Sequence, residues 1–233
     1  MSLSDFLLFA VPATAWDVDG TAGAEDFQAF HDRFSSAAYF YPRHGAAPMG
    51  LLGFEVWVDT SADPDFGDEP FTATTIDGDL PGDVMALARV GVRKGLPGRI
   101  DLGAAYGRAV GGDVELISGE VSWAAIEGGS VVPAVGLRLT GTQTLDAGTY
   151  DLEQYGIEVL VSKGFLVATP SAGAGLVRSE STLTRPGGGE IDESSTEPVL
   201  FAGVRLKLLL PTLTVEVERG EHVQAAVRVG FGF

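Results

Sequence analysis

The sequence predicts an antiparallel, up-and-down transmembrane β-barrel of about ten strands with a short N-terminal helix, and three observations predict it. The first is the closing segment, His222-Val-Gln-Ala-Ala-Val-Arg-Val-Gly-Phe-Gly-Phe233. Successive strand side chains take opposite faces. Val223, Ala225, Val227, Val229, Phe231 and Phe233 therefore share one side, and His222, Gln224, Ala226, Arg228, Gly230 and Gly232 the other. The second is that a chain of 45% hydrophobic residues and mean hydropathy +0.19 contains no run of ~18 apolar residues, so its apolar residues are dispersed as strands require. The third is the sorting of its connections into short and long, described below.

Taken in order, Phe6-Leu-Leu-Phe-Ala-Val-Pro-Ala-Thr-Ala15 reads as a signal-peptide remnant (residues 1–15) with an Ala-x-Ala cleavage site at Ala13 and Ala15. Residues 16–46 form an N-terminal segment. Within it Phe27, Phe30 and Phe34 stand at i, i+3 and i+7, which predicts a helix over 24–35. This helix is expected to close the periplasmic mouth or lie on the membrane interface, with a plug in the lumen as the alternative.

The barrel is expected over 47–233. Residues 50–60 turn Leu52, Phe54, Val56 and Val58 one way and Gly53, Glu55, Trp57 and Asp59 the other. Residues 83–94 and 99–110 alternate likewise around the turn Leu96-Pro-Gly-Arg99. The strand over 113–126 slips in phase near Ile117-Ser-Gly119, where a β-bulge is expected. Strands follow at 131–143, 152–164 and 166–178, the last with Pro170, which needs an unpaired edge position or a bulge. A polar loop is expected over 180–197, then strands at 198–210, 212–219 and 222–233. Trp123, Tyr106, Tyr155, Phe54 and Phe233 suit the interfacial girdles.

Counting upward from residue 50, the odd connections fall at 61–82, 111–112, 144–151, 179–197 and 220–221. The even ones fall at 95–98, 127–130, 164–165 and at Leu210-Pro211. Both long connections land on one side, as outer loops do.

With 32 acidic against 15 basic residues, a net charge of -17 and three lysines, the chain is not expected to bind nucleic acid, which needs a basic surface. The acid-rich loops 61–81 and 180–197 are read as solvated, with divalent-cation bridging to anionic lipopolysaccharide as the sharper alternative. Asp63, Asp65 and Asp68 are the metal candidates within them, although their spacing departs from an EF-hand loop. The absence of cysteine excludes disulfides and thiolate chemistry.

The inner faces carry charges of both signs: Glu55, Asp59, Arg89, Arg93, Asp101, Glu120, Arg138, Glu158, Arg205, Lys207, Glu216 and Arg228, with Glu115 and Glu218. A ten-strand lumen is narrow, so most of these are expected to pair across it; a selective pore lined by the same residues is the rival. Asp17-Val-Asp-Gly-Thr21 matches a phosphotransferase signature but lacks the parallel α/β context that the chemistry needs. His222 beside Glu221 would suit a mouth-located hydrolase, yet no Asp partner is identifiable. No enzyme activity and no cofactor are expected.

At Gly50-Leu-Leu-Gly-Phe54, Lys94-Gly-Leu-Pro97, Pro133-Ala-Val-Gly-Leu-Arg138 and Val161-Ser-Lys-Gly-Phe165, the chain resembles a group of uncharacterised proteobacterial outer-membrane β-barrel proteins, over residues 48–233. The resemblance implies a bacterial outer-membrane location and a barrel fold, and no activity. Expected partners are outer-membrane lipid and lipopolysaccharide, the barrel-assembly machinery during biogenesis, and a small solute. The expected function is a narrow passive pore or transport protein for ions or small solutes. The alternatives are a structural or adhesive protein with an ion-paired, sealed lumen and binding loops, and then the hydrolase.

Overall fold

A strand with one apolar and one polar face is at ease only when the two faces meet different media, and closing the sheet supplies them while leaving no unpaired edge in lipid. The computed structural model, which describes residues 17–63, 75–76, 85–145, 148–209 and 211–233, closes in this way. Ten antiparallel strands run β2 (Phe54–Asp63), β4 (Met85–Leu96), β5 (Ile100–Ala109), β6 (Glu115–Ile126), β7 (Ala134–Leu145), β8 (Tyr150–Ser162), β9 (Ala168–Thr184), β10 (Glu190–Lys207), β11 (Pro211–Arg219) and β12 (Val223–Gly232), with β12 returning to β2. The closing register pairs Arg228 with Asp59. Outside the barrel, β1 (Asp17–Val18) pairs with β3 (Thr75–Ile76). Helix α1 spans Ala24–Ala38, a turn longer than the phenylalanine spacing predicts because Ala37 and Ala38 continue its buried face.

The wall decides the medium. Arg89, Arg138, Glu158 and Arg228, which a soluble barrel would turn to water, are 0%, 0%, 1% and 3% exposed. Outward stand Val56, Leu139, Ile157, Val159, Leu200 and Val215, all exposed, with Trp123, Tyr155 and Phe233 among the outward aromatics. An apolar exterior around a polar interior is the wall of a transmembrane barrel. The protein is a ten-stranded barrel of the bacterial outer membrane. Among the described residues, no helix is long and apolar enough to cross a membrane.

The two ends differ. At one, residues 97–99, 163–167 and 208–209 lie in short turns, and Phe233 lies beside Phe54 through paired backbone hydrogen bonds of 3.1 Å. At the other, the residues between β2 and β4 make the longest connection, and β8, β9 and β10 rise past their neighbours: β10 pairs with β9 from Glu190 onward but with β11 only from Leu200. Outward residues turn polar there, Glu153, Arg178 and Glu180 following Tyr155 and Leu176.

Four expectations are corrected. Residues 180–197 are not a loop: β9 runs to Thr184 and β10 begins at Glu190 in unbroken register, because Ser and Thr alternating with acids form a hairpin with both faces polar. The bulge lies between Ala124 and Ile126, not at Ile117–Gly119; Ser118 keeps phase and reaches Thr142 at 2.9 Å, and the apparent slip came from Leu116, an apolar residue facing inward. Glu115 faces outward beside Arg108, at 4.0 Å. Helix α1 closes no periplasmic mouth; it fills the projecting outer part of the barrel, where Phe27, Phe30 and Phe34 pack with Leu87, Leu116, Leu152 and Leu183.

Pro170 takes the place its missing N–H requires. Its carbonyl accepts from Lys163 at 3.1 Å, so the absent donor faces the end of β8, beyond the last β8 pair, Ser162 with Ser171. Residues 1–15, with Asp65 and Asp68, lie outside the described residues.

Candidate functional site

The lumen is occupied by the chain's own residues 24–49, and the contacts between this segment and the wall are the candidate site. Its top is α1. Glu25 and Asp26 lie in its first turn, where negative charge complements the helix dipole. Its last carbonyls, which a helix cannot satisfy internally, are taken by the wall. Gln154 Nε2 donates to Ser35 O at 2.8 Å, Gln224 Nε2 to Ser36 O at 3.1 Å, and Arg89 to Ala38 O at 2.7 Å and Tyr39 O at 3.2 Å. Donors from β8, β12 and β4 thus hold one helix end. Phe30 stacks on Phe34 with centroids 5.3 Å apart, and Tyr150 meets both edge-on.

Above the apolar band, His31 bridges two strands of the projecting hairpin: Nδ1 lies 2.6 Å from Ser181 Oγ and Nε2 3.2 Å from Ser195 Oγ. Burial lowers its pKa from the ordinary value, and the neighbouring Asp32 opposes the shift. Asp32 is raised, by burial first and by Glu221 second. Among the described residues, Asp32, Glu197 and Glu221 are the group whose carboxylate oxygens come within 4.8 Å of one another, a cluster that could hold a divalent cation. Asp63, the described member of the predicted metal set, ends β2 facing inward 3.7 Å from Arg33.

Below the helix, residues 39–49 descend through the band as irregular chain, with a tight turn where Tyr41 N–H donates to Tyr39 O at 3.2 Å and a positive φ of 48° at Arg43. Arg43, 1% exposed, grips Glu218 with Nε at 2.6 Å and Nη2 at 3.0 Å, and Asp59 with Nη1 at 2.7 Å. Its backbone N–H donates to Glu216 at 3.3 Å. Arg228 holds the other Asp59 oxygen at 2.6 Å, donates to Pro42 O at 2.9 Å and lies 3.7 Å over the Trp57 ring. On the opposite wall Arg138 bonds Glu120 at 2.5 Å and Glu158 at 2.7 Å, and Tyr39 donates to Glu158 at 2.8 Å. Gly156 leaves the room: a Cβ there would run into the Tyr39 hydroxyl. Charge-assisted bonds of this kind are strong when desolvated, and costly when one member is missing.

At the short-turn end, Met49 N–H donates to Asp101 at 3.1 Å, and Arg93 bonds the same carboxylate at 2.6 Å. Here Arg205 pairs with Glu55 at 2.5 Å. A cavity of about 270 Å³ lies between the segment and the wall, lined by Met49, Glu55, Arg93, Arg205, Lys207 and Phe233.

Of the residues expected to line the lumen, Glu55, Asp59, Arg89, Arg93, Asp101, Glu120, Arg138, Glu158, Glu216 and Arg228 are buried inside the barrel, Arg205 is half-buried and Lys207 is exposed at the short-turn end. Arg43, Tyr39 and the two glutamine donors escaped the sequence reading. The signal for Arg43 was available: Asp59, Glu216 and Glu218 crowd one sector of the wall, and a guanidinium among aromatics directly before the barrel is what that sector lacks.

No family model and no curated protein matches the chain. Among solved structures it is similar to the N-terminal β-barrel domain of Pseudomonas aeruginosa OprF, at 12% identity and TM-score 0.40 over 79% of this chain and 99% of that one. It is similar also to KdgM porin, at 9% and 0.39 over 76% and 99%, and to Neisserial surface protein A, at 11% and 0.33 over 77% and 95%. All are distant likenesses.

Proposed function

We propose that the protein is a sealed outer-membrane barrel, a structural or adhesive component that meets its surroundings at the outer end while its own residues 24–49 occupy the lumen. The observation that carries this reading is the Arg43 cluster, a buried cation from the luminal segment held by two wall carboxylates at 2.6 and 2.7 Å. Outward from the band, the β9–β10 hairpin offers Arg178, Glu180, Glu190 and Asp192 to solvent, an acid-rich face suited to cation-bridged contact with lipopolysaccharide. The alternating C-terminal strand ending on Phe233 is the segment expected to engage the barrel-assembly machinery.

A second reading, the narrow passive pore for ions or small solutes, draws on the cavity of about 270 Å³ at the short-turn end, from which a route would open if the segment moved. Conductance in planar bilayers separates the two. The intact protein is expected to be silent, and a chain lacking residues 17–48 to conduct steadily. Steady, ion-selective current from the intact protein would replace the sealed reading with the pore.

A further inference from the structure

The luminal segment has a direction, and it is opposite to that of a plug pushed in from the periplasm. Asp17 and Val18 pair with Thr75 and Ile76 in the connection between β2 and β4. Gly20 sits against Thr149 and Pro186, in the β7–β8 and β9–β10 connections, and Ala22 O accepts from Arg185 at 3.2 Å. These partners all belong to the end with the longest connection. From there α1 leads inward until Arg89 donates to the carbonyls of Ala38 and Tyr39 at its end. Residues 39–49 continue past Asp59 and Glu158 at mid-wall to Ser162, which receives Ala46 N–H at 2.8 Å, and to Asp101, which receives Met49 N–H at 3.1 Å. Both acceptors stand at the short-turn end. The reversal into β2 follows at Gly50, whose φ of +76 suits glycine.

We infer that the chain crosses the membrane once through its own lumen before it builds the wall, so that Asp17 and Val18 stand on the outer face, anchored there by the barrel. The inference rests on the outer-membrane orientation, in which short turns and the C-terminus face the periplasm. The crossings are then eleven: the ten strands and the luminal segment. A plug entered from the periplasm would leave both of its ends on that side; this segment leaves one on each. Besides sealing the barrel, residues 24–49 therefore act as the stalk that holds residues 17–23 at the cell surface.

The absence of cysteine from the chain allows a test without background. Thr21→Cys, Glu190→Cys and Leu166→Cys, all at exposed positions, report the N-terminal side, the outer hairpin and a short turn. Each full-length variant is expressed in a Gram-negative host and treated with a membrane-impermeant maleimide, before and after permeabilisation. Thr21→Cys is expected to label on intact cells as fully as Glu190→Cys, with Leu166→Cys labelling only after permeabilisation. Labelling of Thr21→Cys only after permeabilisation, with Glu190→Cys labelled on intact cells, would overturn the inference and leave the barrel's orientation standing. Leu166→Cys labelled on intact cells and Glu190→Cys only after permeabilisation would overturn the orientation, and the inference with it.

Discussion

Arg43 is the residue on which the luminal segment turns. Its guanidinium spans Asp59 and Glu218 at 2.7 and 2.6 Å with all three side chains buried, so Arg43→Met leaves Glu218 without its cation and Asp59 with Arg228 alone. Removing one member of a buried pair costs about 3–5 kcal/mol, and the variant should show a urea midpoint lowered accordingly and early proteolysis of the segment. Arg43→Lys should recover only part of this, since a point charge cannot reproduce the fork on Glu218. His31 sets a second, pH-dependent term. Its pKa lies below the ordinary 6.5 because burial disfavours the imidazolium. Docking of α1 is then fully stable above that value and weakens as pH falls through it, because the undocked state takes up the proton more readily. Protease sensitivity of the helix should therefore rise between about pH 7.5 and 5.5, and His31→Gln, which keeps a polar partner for Ser181 and Ser195, should flatten the dependence.

At the scale of elements, α1 is a discrete cap held by aromatic packing. Phe30→Ala removes a ring stacked 5.3 Å from Phe34 and edge-on to Tyr150 at 5.3 Å. Buried Phe→Ala changes cost about 3–5 kcal/mol, so clipping within residues 24–38 should appear while the barrel keeps its heat-modifiable gel mobility; loss of both together would mean that helix and wall fold as one unit. The strands were legible because lipid and lumen impose period two, and the helix because three phenylalanines imposed period 3.6. Legibility failed where neither pattern applied. The upper β9–β10 hairpin faces water on one side and polar groups of α1 on the other, so Ser179, Ser181, Ser195 and the acids between them carried no hydrophobic alternation. Residues 39–49 have no period at all, since irregular chain inside a narrow tube touches wall on every side. The inward orientation of charges could be read from single strands; their pairing through Arg43 could not, because it joins residues 16 and 175 positions apart.

For the whole molecule, the sign of exposure is inverted relative to a soluble protein, and the membrane enforces it. Val159 is 46% exposed on the outer wall, within the apolar outward run Tyr155, Ile157, Val159 and Val161 of β8, beside the fully inward Glu158. Val159→Arg should lower the folded fraction in bilayers by ~2–4 kcal/mol, whereas Glu153→Arg, on the same face above the band, should be tolerated; equal effects at both positions would contradict the depth assigned to the band. The turn at Gly50 has a consequence of another kind. It ties residues 24–49 covalently to the wall they fill, which makes their docking a first-order event at an effective concentration on the order of millimolar. One cut between Gly50 and Gly53 would change the reaction order. The severed segment would become a free peptide ligand, dissociating on dilution and returning only by mass action, and a permanently stoppered barrel would become a titratable one.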